Sequence, residues 1–292
     1  MSIYVDQHTK VLVLGITGKS GRLQTKIMKD YGTQVVAGVT PGKGGQVVDG
    51  IPVYDFVSEA RAHHQIDAAI SFVPPQFFRD SCIEVIEQGI PFLVATAEGI
   101  PDHDVVDVLQ YAALTGVTVL GPGSAGLIAP GKCKLGAHPP QMYQEGRVGV
   151  VSKSGALSYE VGKTLTEHGI GQSTVAAIGG GPLWGVKVSD ILLKFESDEE
   201  TDMIVMLGEI GGTMEEQAAE VITHHISKPV VALIVGKSAP KGKSLGHAGA
   251  IIQGNKGTVE SKVQALTDAG AYIAKDSLDI VRIIKVLEGA KV

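Results

Sequence analysis

One histidine of this chain stands in a setting that suits chemistry on a phosphoryl group. His247 lies in the run GHAGA at residues 246–250, whose small side chains leave the imidazole sterically open. An unperturbed histidine has a pKa near ~6.5, so a large neutral fraction exists at neutral pH and a ring nitrogen can attack phosphorus. Judged from the local sequence alone, an ordinary exposed loop histidine is an equally good interpretation.

A glutamate among glycines is a candidate partner for this ring. Glu209 follows an apolar run and lies in the sequence GEIGG at residues 208–212. Its carboxylate could accept a hydrogen bond from one ring nitrogen, which would fix the tautomer and leave the other nitrogen nucleophilic. The other histidines lack such a setting, and no metal site is predicted among them; they are His8, His63, His64, His103, His138, His168, His224 and His225.

Glycine-rich loops in the first half predict a phosphate site. Gly15, Gly18 and Gly21 stand between an apolar run and a helical pattern, where backbone N–H groups and the helix dipole favour an anion; a tight turn is the alternative. A NAD-binding fold usually ends its second strand with Asp or Glu, which holds the ribose hydroxyl. This chain instead has Lys43 within the run TPGKGG at residues 40–45. A lysine there suits the ribose phosphate of coenzyme A or of NADP, and the second half of the chain favours coenzyme A.

A second anion site is predicted at residues 152–155, whose sequence SKSG joins an apolar run to a helical pattern. Two hydroxyls and a glycine at a helix N-terminus favour an anion, with a dipole contribution of ~0.3–1 kcal/mol. The alternative is that Ser154 is simply an N-cap residue, a position that serine commonly occupies.

Short apolar runs alternate with helical patterns through both halves of the chain. This alternation predicts parallel strands joined by helical crossovers, and hence an α/β protein with two open doubly wound parallel-sheet domains. Residues 1–122 are expected to form the first domain, residues 123–146 an interdomain connection rich in Gly and Pro, and residues 147–292 the second domain. The predicted strands are Val11–Leu14, Val35–Val39, Ala68–Val73, Phe92–Ala95, Val117–Leu120, Val148–Val151, Ser173–Ile178, Met203–Leu207 and Val230–Val235.

The composition excludes several classes of protein. The 292 residues are 44% hydrophobic and 19% charged, so a sizeable core can be buried. The net charge of -6 supplies no basic field for nucleic acid or an anionic membrane, and the apolar runs are far shorter than the ~20 residues of a spanning helix. Cys82 and Cys133 are too few for a disulfide framework or a four-cysteine zinc site. A reduced, cytoplasmic protein is therefore expected.

Five motifs in order resemble the alpha subunits of succinate–CoA ligase (succinyl-CoA synthetase). They are PGKGG at residues 41–45, SKSG at 152–155, GEIGG at 208–212, APKGK at 239–243 and GHAGAII at 246–252. The resemblance runs from about residue 3 to residue 288. It implies a Rossmann-like CoA-binding domain followed by a flavodoxin-like ligase domain.

The resemblance also implies roles for individual residues. His247 matches the histidine that is phosphorylated, and Glu209 matches the glutamate that orients it. Tyr159 falls on the position that binds the carboxylic acid, and Ser154 with Gly155 falls on the cradle of the phosphohistidine. The positions that match CoA contacts are Thr17, Gly18, Lys19, Ser20, Lys43, Thr96, Ala97 and Glu98.

The implied reaction has three steps and needs a partner. A nucleoside triphosphate phosphorylates His247, the phosphoryl group moves to the acid, and the thiol of coenzyme A then displaces phosphate. The chain has no Walker loop, so ATP or GTP with Mg²⁺ is expected on a beta subunit with an ATP-grasp fold, in a heterodimer or heterotetramer. A eukaryotic source would place the processed protein in the mitochondrial matrix.

Two segments depart from the family pattern. Residues 121–126 read GPGSAG where the family usually has Gly-Pro-Asn-Cys-Pro-Gly, and residues 179–182 read GGGP where it usually has Gly-Gly-Asp-Pro. Trp184, the only tryptophan, follows the second segment and is interpreted as a packing residue. Polar contacts near the active centre are lost, so a ligase for another acid (malate or citrate) stays an alternative, as does a non-catalytic CoA-binding paralogue; an NADP oxidoreductase is more remote.

Overall fold

The structure is a computed structural model that describes residues 2–237, 246–250 and 257–289. The motif at residues 239–243 and the pair Ile251 and Ile252 lie outside these residues. The described chain forms two seven-stranded sheets, both mostly parallel, with helices between the strands. The predicted α/β class with two open sheets is therefore confirmed.

The first sheet has the order β3-β4-β2-β1-β5-β6-β7. Neighbouring strands are parallel except for the β3–β4 pair, which is antiparallel. Its strands are β1 (Lys10–Leu14), β2 (Gln34–Val39), β3 (Val47–Val48), β4 (Ile51–Tyr54), β5 (Ala68–Ser71), β6 (Phe92–Ala95) and β7 (Thr118–Leu120). Its helices are α1 (Lys19–Asp30), α2 (Val57–His63), α3 (Phe78–Glu87) and α4 (Asp102–Thr115).

The second sheet has the order β14-β13-β12-β10-β11-β8-β9, with β8 antiparallel to both of its neighbours. Its strands are β8 (Gly126–Ala129), β9 (Cys133–Gly136), β10 (Glu145–Ser152), β11 (Gln172–Ala177), β12 (Met203–Glu209), β13 (Val230–Val235) and β14 (Tyr272–Ile273). Its helices are α5 (Gly155–Glu167), α6 (Val188–Ser197), α7 (Met214–His225), α8 (Val259–Asp268) and α9 (Ser277–Gly289).

Residues 123–146, predicted as an interdomain connection, contain more structure than the sequence indicates. This range includes β8, β9 and the start of β10, all of which belong to the second sheet. The Gly and Pro content hides the hairpin, because Gly126 and Gly136 have positive φ and pack backbone against backbone. A Cβ on Gly126 would lie 1.9 Å from the carbonyl oxygen of Leu135, so these glycines permit the strand pairing.

The central strands of the sheets are buried on both faces. Val11 and Val13 of β1 join one buried cluster, whereas Leu12 and Leu14 join another. The first of these clusters continues into the second sheet through Leu127 and other side chains, so the two domains share buried apolar surface. No helix within residues 2–237, 246–250 and 257–289 is long and apolar enough to cross a membrane.

Candidate functional site

His247 and Glu209 form the centre of the candidate active site. The distance from His247 Nδ1 to Glu209 Oε2 is 2.6 Å. Glu209 is the last residue of β12 and is buried, while the His247 side chain is 27% exposed. The predicted pair is thus brought together from segments 38 residues apart. A ring that gives its Nδ1 hydrogen to a carboxylate has Nε2 as its nucleophilic position.

Each member of the pair changes the protonation of the other. The hydrogen bond to Glu209 raises the pKa of His247, although burial and the charge of Lys153 act in the opposite direction. Burial by itself would raise the pKa of Glu209, but the hydrogen bond from His247 and the nearby Lys153 hold it below its usual value. Glu209 is therefore an ionised acceptor, which makes the bond to His247 charge-assisted.

A glycine loop presses against the imidazole ring. A Cβ on Gly180 would lie 2.2 Å from Cγ of His247, so only a glycine fits beside the ring. The Gly249 N–H donates to the carbonyl oxygen of Gly180 at 3.1 Å, which ties the two loops together. This contact was not predicted from the sequence, where the run of three glycines at residues 179–181 was its only signal.

A cavity of about 430 Å³ opens beside His247, where the loops of the two sheets face each other. Its lining includes His247, Ala97 and Glu98, which joins the candidate catalytic histidine to two of the predicted CoA positions. The loop residues Gly180 and Leu183 also line the cavity. The other predicted CoA positions do not line this cavity.

Those other positions follow the carboxyl edge of the first sheet. Thr17 lies in the loop after β1, Gly18 is the N-cap of α1, and Lys19 and Ser20 are the first residues of that helix. A Cβ on Gly21 would lie 2.2 Å from the Gly15 carbonyl oxygen, so the helix starts against its own loop. Because β2, β1, β5 and β6 are parallel neighbours, the segments that follow them lie side by side along one edge.

The lysine loop after β2 is held by a carboxylate that sequence reasoning missed. Asp55 Oδ1 accepts hydrogen bonds from the backbone N–H groups of Lys43 at 2.9 Å and Gly44 at 2.8 Å. The Lys43 side chain is exposed. Further along the edge, the Thr96 hydroxyl donates to the carbonyl oxygen of Ser71 at 2.6 Å and so fastens the segment that leads to Ala97.

The predicted phosphate cradle forms the N-terminus of α5. Ser154 is the N-cap, and its hydroxyl oxygen accepts the N–H of Leu157 at 3.3 Å, so the capping role considered from the sequence is present. Gly155 begins the helix, and a Cβ there would lie 2.9 Å from the Cβ of Ala125. The turn is further fixed by Ser152, whose hydroxyl oxygen accepts the N–H of Ser154 at 3.1 Å.

Tyr159 lies one turn further along α5 and is half-buried. Its ring meets that of His138 edge-on, with 5.4 Å between the ring centroids. His138 is fully buried between the Tyr143 hydroxyl, at 2.9 Å, and the Gly126 carbonyl oxygen, at 3.0 Å. Burial lowers the pKa of His138 to about 4, so the ring that packs against Tyr159 is neutral. Tyr159 does not line the cavity at His247.

A buried lysine next to Glu209 was also missed by sequence reasoning. Lys153 Nζ lies 3.3 Å from Glu209 Oε1 and 3.5 Å from Glu215 Oε1, and the side chain is only 2% exposed. The Trp184 ring lies 5.5 Å from the same ammonium group. Trp184 Nε1 donates to the carbonyl oxygen of Gly179 at 2.9 Å, so the tryptophan packs against the lysine and anchors the glycine loop.

Known proteins resemble this chain over nearly its full length. Residues 6–99 match the family described as CoA binding domain, and residues 151–272 match the family described as CoA-ligase. The chain is 49% identical to succinate–CoA ligase [ADP-forming] subunit alpha 1 of Archaeoglobus fulgidus, over 98% of both chains. It is 47% identical to the corresponding alpha subunit of Aquifex aeolicus, over 99% of this chain and 96% of that one.

A solved structure has a similar fold over nearly the whole chain. It is ATP citrate lyase from Methanothrix soehngenii in complex with citrate and coenzyme A, which is 25% identical to this chain with a TM-score of 0.87. The match covers 99% of this chain but only 52% of that chain, so the present protein spans about half the length of the lyase.

Proposed function

Because the chain belongs to the family of succinate–CoA ligase alpha subunits, we propose that it is the alpha subunit of an ADP-forming succinate–CoA ligase. The resemblance predicted from the five motifs, the ligase class and coenzyme A as a substrate are confirmed. The name of an alpha subunit also implies a partner subunit. The observation that carries the proposal is the His247–Glu209 pair beside a cavity that the CoA-binding sheet helps to line.

In the first proposed step, His247 is the phosphoryl acceptor. Nε2 forms a bond to the terminal phosphorus of the nucleoside triphosphate, and the bond to the bridging oxygen breaks, which releases the diphosphate. The proton on Nδ1 stays in the bond to Glu209, whose charge stabilises the cationic character of the ring while phosphorus is attached. The triphosphate and its Mg²⁺ would be held by the partner, which we propose has an ATP-grasp fold.

In the next two steps the phosphoryl group leaves the ring. A carboxylate oxygen of the acid attacks phosphorus, the phosphorus–nitrogen bond breaks, and an acyl phosphate forms. The sulfur of coenzyme A then attacks the acyl carbon, the carbon–oxygen bond breaks, and phosphate departs; the thiol proton goes to solvent. The first of these steps needs the acid beside His247, the second needs the thiol beside the acyl phosphate, and the cavity next to the ring provides the space.

The edge of the first sheet supplies a path for coenzyme A. We propose that its phosphates lie at the N-terminus of α1, with Thr17, Gly18, Lys19 and Ser20, and near the Lys43 ammonium group. The pantetheine arm would then pass Thr96 and enter the cavity at Ala97 and Glu98. From β2 to β6 is three strand spacings of ~4.8 Å, or roughly 14 Å, a distance that an extended arm can bridge.

The N-terminus of α5 is the proposed cradle of the phosphohistidine. Lys153 reaches Glu209 from the turn that Ser154 and Gly155 complete, so this helix end lies close to the carboxylate partner of His247. The helix dipole at this N-terminus favours the negative charge that the phosphoryl group brings to His247. Tyr159, on the same helix, remains the proposed contact for the carboxylic acid.

The identity of the acid is tested by thioester synthesis in the assembled enzyme. The chain is combined with its beta subunit, ATP, Mg²⁺ and coenzyme A, and kcat/KM is measured for succinate, malate and citrate. Succinate is expected to give the largest value, because the two relatives described above, which match over nearly their full length, are named succinate–CoA ligases. A larger value for malate or citrate would reassign the substrate, and binding of coenzyme A with no thioester from any acid would contradict the ligase.

A further inference from the structure

Lys153 occupies an unusual position for a lysine. Its side chain is almost fully buried, and its ammonium group is enclosed by the carboxylates of Glu209 and Glu215 and by the face of Trp184. A buried ammonium group is stable only where carboxylates and other polar groups compensate for lost water. The lysine is thus built into the support of the candidate catalytic pair.

The position of Glu215 is itself fixed by buried polar contacts. It is completely buried at the start of α7 and forms an ion pair with Lys262 of α8, which is also completely buried. Glu215 Oε1 accepts the backbone N–H of Glu209 at 3.1 Å, so it holds the end of β12 as well as Lys153. Lys262 Nζ is further held at 3.1 Å by Glu216, whose side chain is 26% exposed.

The buried charges balance without any charge on His247. Within the described residues, Lys153 and Lys262 provide two fully buried ammonium groups next to the buried carboxylates of Glu209 and Glu215. If Lys153 were neutral, a proton on His247 would be the nearest way to compensate the charge of Glu209. A protonated imidazole cannot attack phosphorus, because its second nitrogen then carries a hydrogen.

Three charged groups on three separate elements act on His247. Glu209, at the end of β12, and Glu98, in the loop after β6, both favour the protonated ring. Lys153, at the end of β10, opposes protonation. Lys153 is the cation among these three, and its ammonium group also lies over the Trp184 ring, 5.5 Å from the ring centroid.

We infer that Lys153 is a positioning residue of this active site: its ammonium group keeps Glu209 an ionised, oriented acceptor and opposes protonation of His247, so that a larger share of the ring is neutral and nucleophilic. This inference rests on the proposed phosphorylation of His247. It also gives Trp184 a role that the sequence did not reveal, because its ring packs on the ammonium group that pairs with the two carboxylates.

The test is a pH titration of the His247 ring, monitored through the NMR signals of the ring in the full chain without nucleotide or acid. In K153M, and in K153Q as a second charge-free variant, the pKa of His247 should rise by about one pH unit, because a cation within interaction distance is removed. K153R keeps the charge and should restore the wild-type titration. K194M is the matched control, since Lys194 also lies 5.5 Å from an aromatic ring, that of Tyr4, but stands outside this site.

A second readout uses the complex with the beta subunit. The pH profile for phosphorylation of K153M should move to higher pH by the same amount, so that labelling is up to about tenfold slower at neutral pH and recovers in alkaline buffer. An unchanged His247 titration in the charge-free variants would overturn the inference, as would their failure to fold while K153R folds, since the lysine would then serve only stability. The titration needs no catalysis, so it can succeed or fail independently of the proposed ligase activity.

Discussion

Gly180→Ala is the substitution for which the structure gives the sharpest expectation. The φ angle of Gly180 is not in the left-handed region, so its backbone accepts alanine without strain. The new Cβ, however, would lie 2.2 Å from Cγ and 2.3 Å from Nδ1 of His247. Carbon atoms in contact need about 3.5 Å, so the ring would have to move by more than 1 Å.

The ring has little room to move, and this sets the size of the effect. Its Nδ1 is held by Glu209 at 2.6 Å, and Gly249 ties the two loops together through Gly180. Loss of a hydrogen bond to a charged group costs about 1.5–3 kcal/mol, and a misplacement of about 1 Å near the chemistry can cost on the order of 100-fold in rate. We expect phosphorylation of His247 in G180A to slow by about 10- to 100-fold.

The assay is the rate of acid-labile phosphoryl incorporation in the complex with the beta subunit. Gly181→Ala is the control, because a Cβ there has only the Leu183 carbonyl oxygen within 4 Å, at 3.8 Å, and its φ is also outside the left-handed region. G181A should keep a rate close to that of the wild type. If G180A retained more than half of the wild-type rate with normal folding, the packing argument for His247 would be refuted.

Two further substitutions test the charges at and beyond the site. In E209Q the His247 ring loses an ionised acceptor, so the pKa of His247 should fall and the pH midpoint of phosphorylation should move to lower pH. The maximal rate of phosphorylation should be at least about tenfold lower. An unchanged midpoint would contradict the proposed effect of Glu209 on His247. Lys134 is fully buried, the described hydrogen-bond partners of its ammonium group are Gln24 and the Gly136 carbonyl oxygen, and burial lowers its pKa to about 8. A basic group whose pKa is lower in the folded state than in the unfolded state destabilises the protein most below the folded-state pKa. K134M should therefore raise the free energy of unfolding by ~1–3 kcal/mol at pH 7, and this gain should shrink as the pH rises above 8. Urea unfolding at pH 7 and 9.5 measures the gain, and a K134M variant less stable than the wild type at pH 7 would contradict the prediction.

Much of the fold could be predicted because its strands are buried on both faces. Such strands are continuous apolar runs, and β1 and β13 were predicted to within about one residue of their bounds. The elements that were missed lack this signal. The strand β4 contains Pro52 and lies near the edge of its sheet, and β8 begins at a glycine whose strand conformation depends on pairing with β11.

The His247–Glu209 pair could be predicted because both residues stand among glycines, where a polar side chain has few structural reasons to occur. The residues around the pair could not. Lys153 and Lys262 have the residue type of solvated positions, yet both are buried, and only the packing of β10, α7 and α8 shows it. The contact of Gly180 with the ring joins segments far apart in the chain, and no local pattern marks it.

His247 is proposed to carry a phosphoryl group between nucleotide and acid. The most direct measurement is the intact mass of the chain after incubation with its beta subunit and triphosphate, with and without acid treatment, followed by addition of succinate and coenzyme A. The wild type should gain one acid-labile phosphoryl group, which succinate and coenzyme A discharge, and H247N should gain none. An H247N complex that still produces the thioester at the wild-type rate would contradict the account.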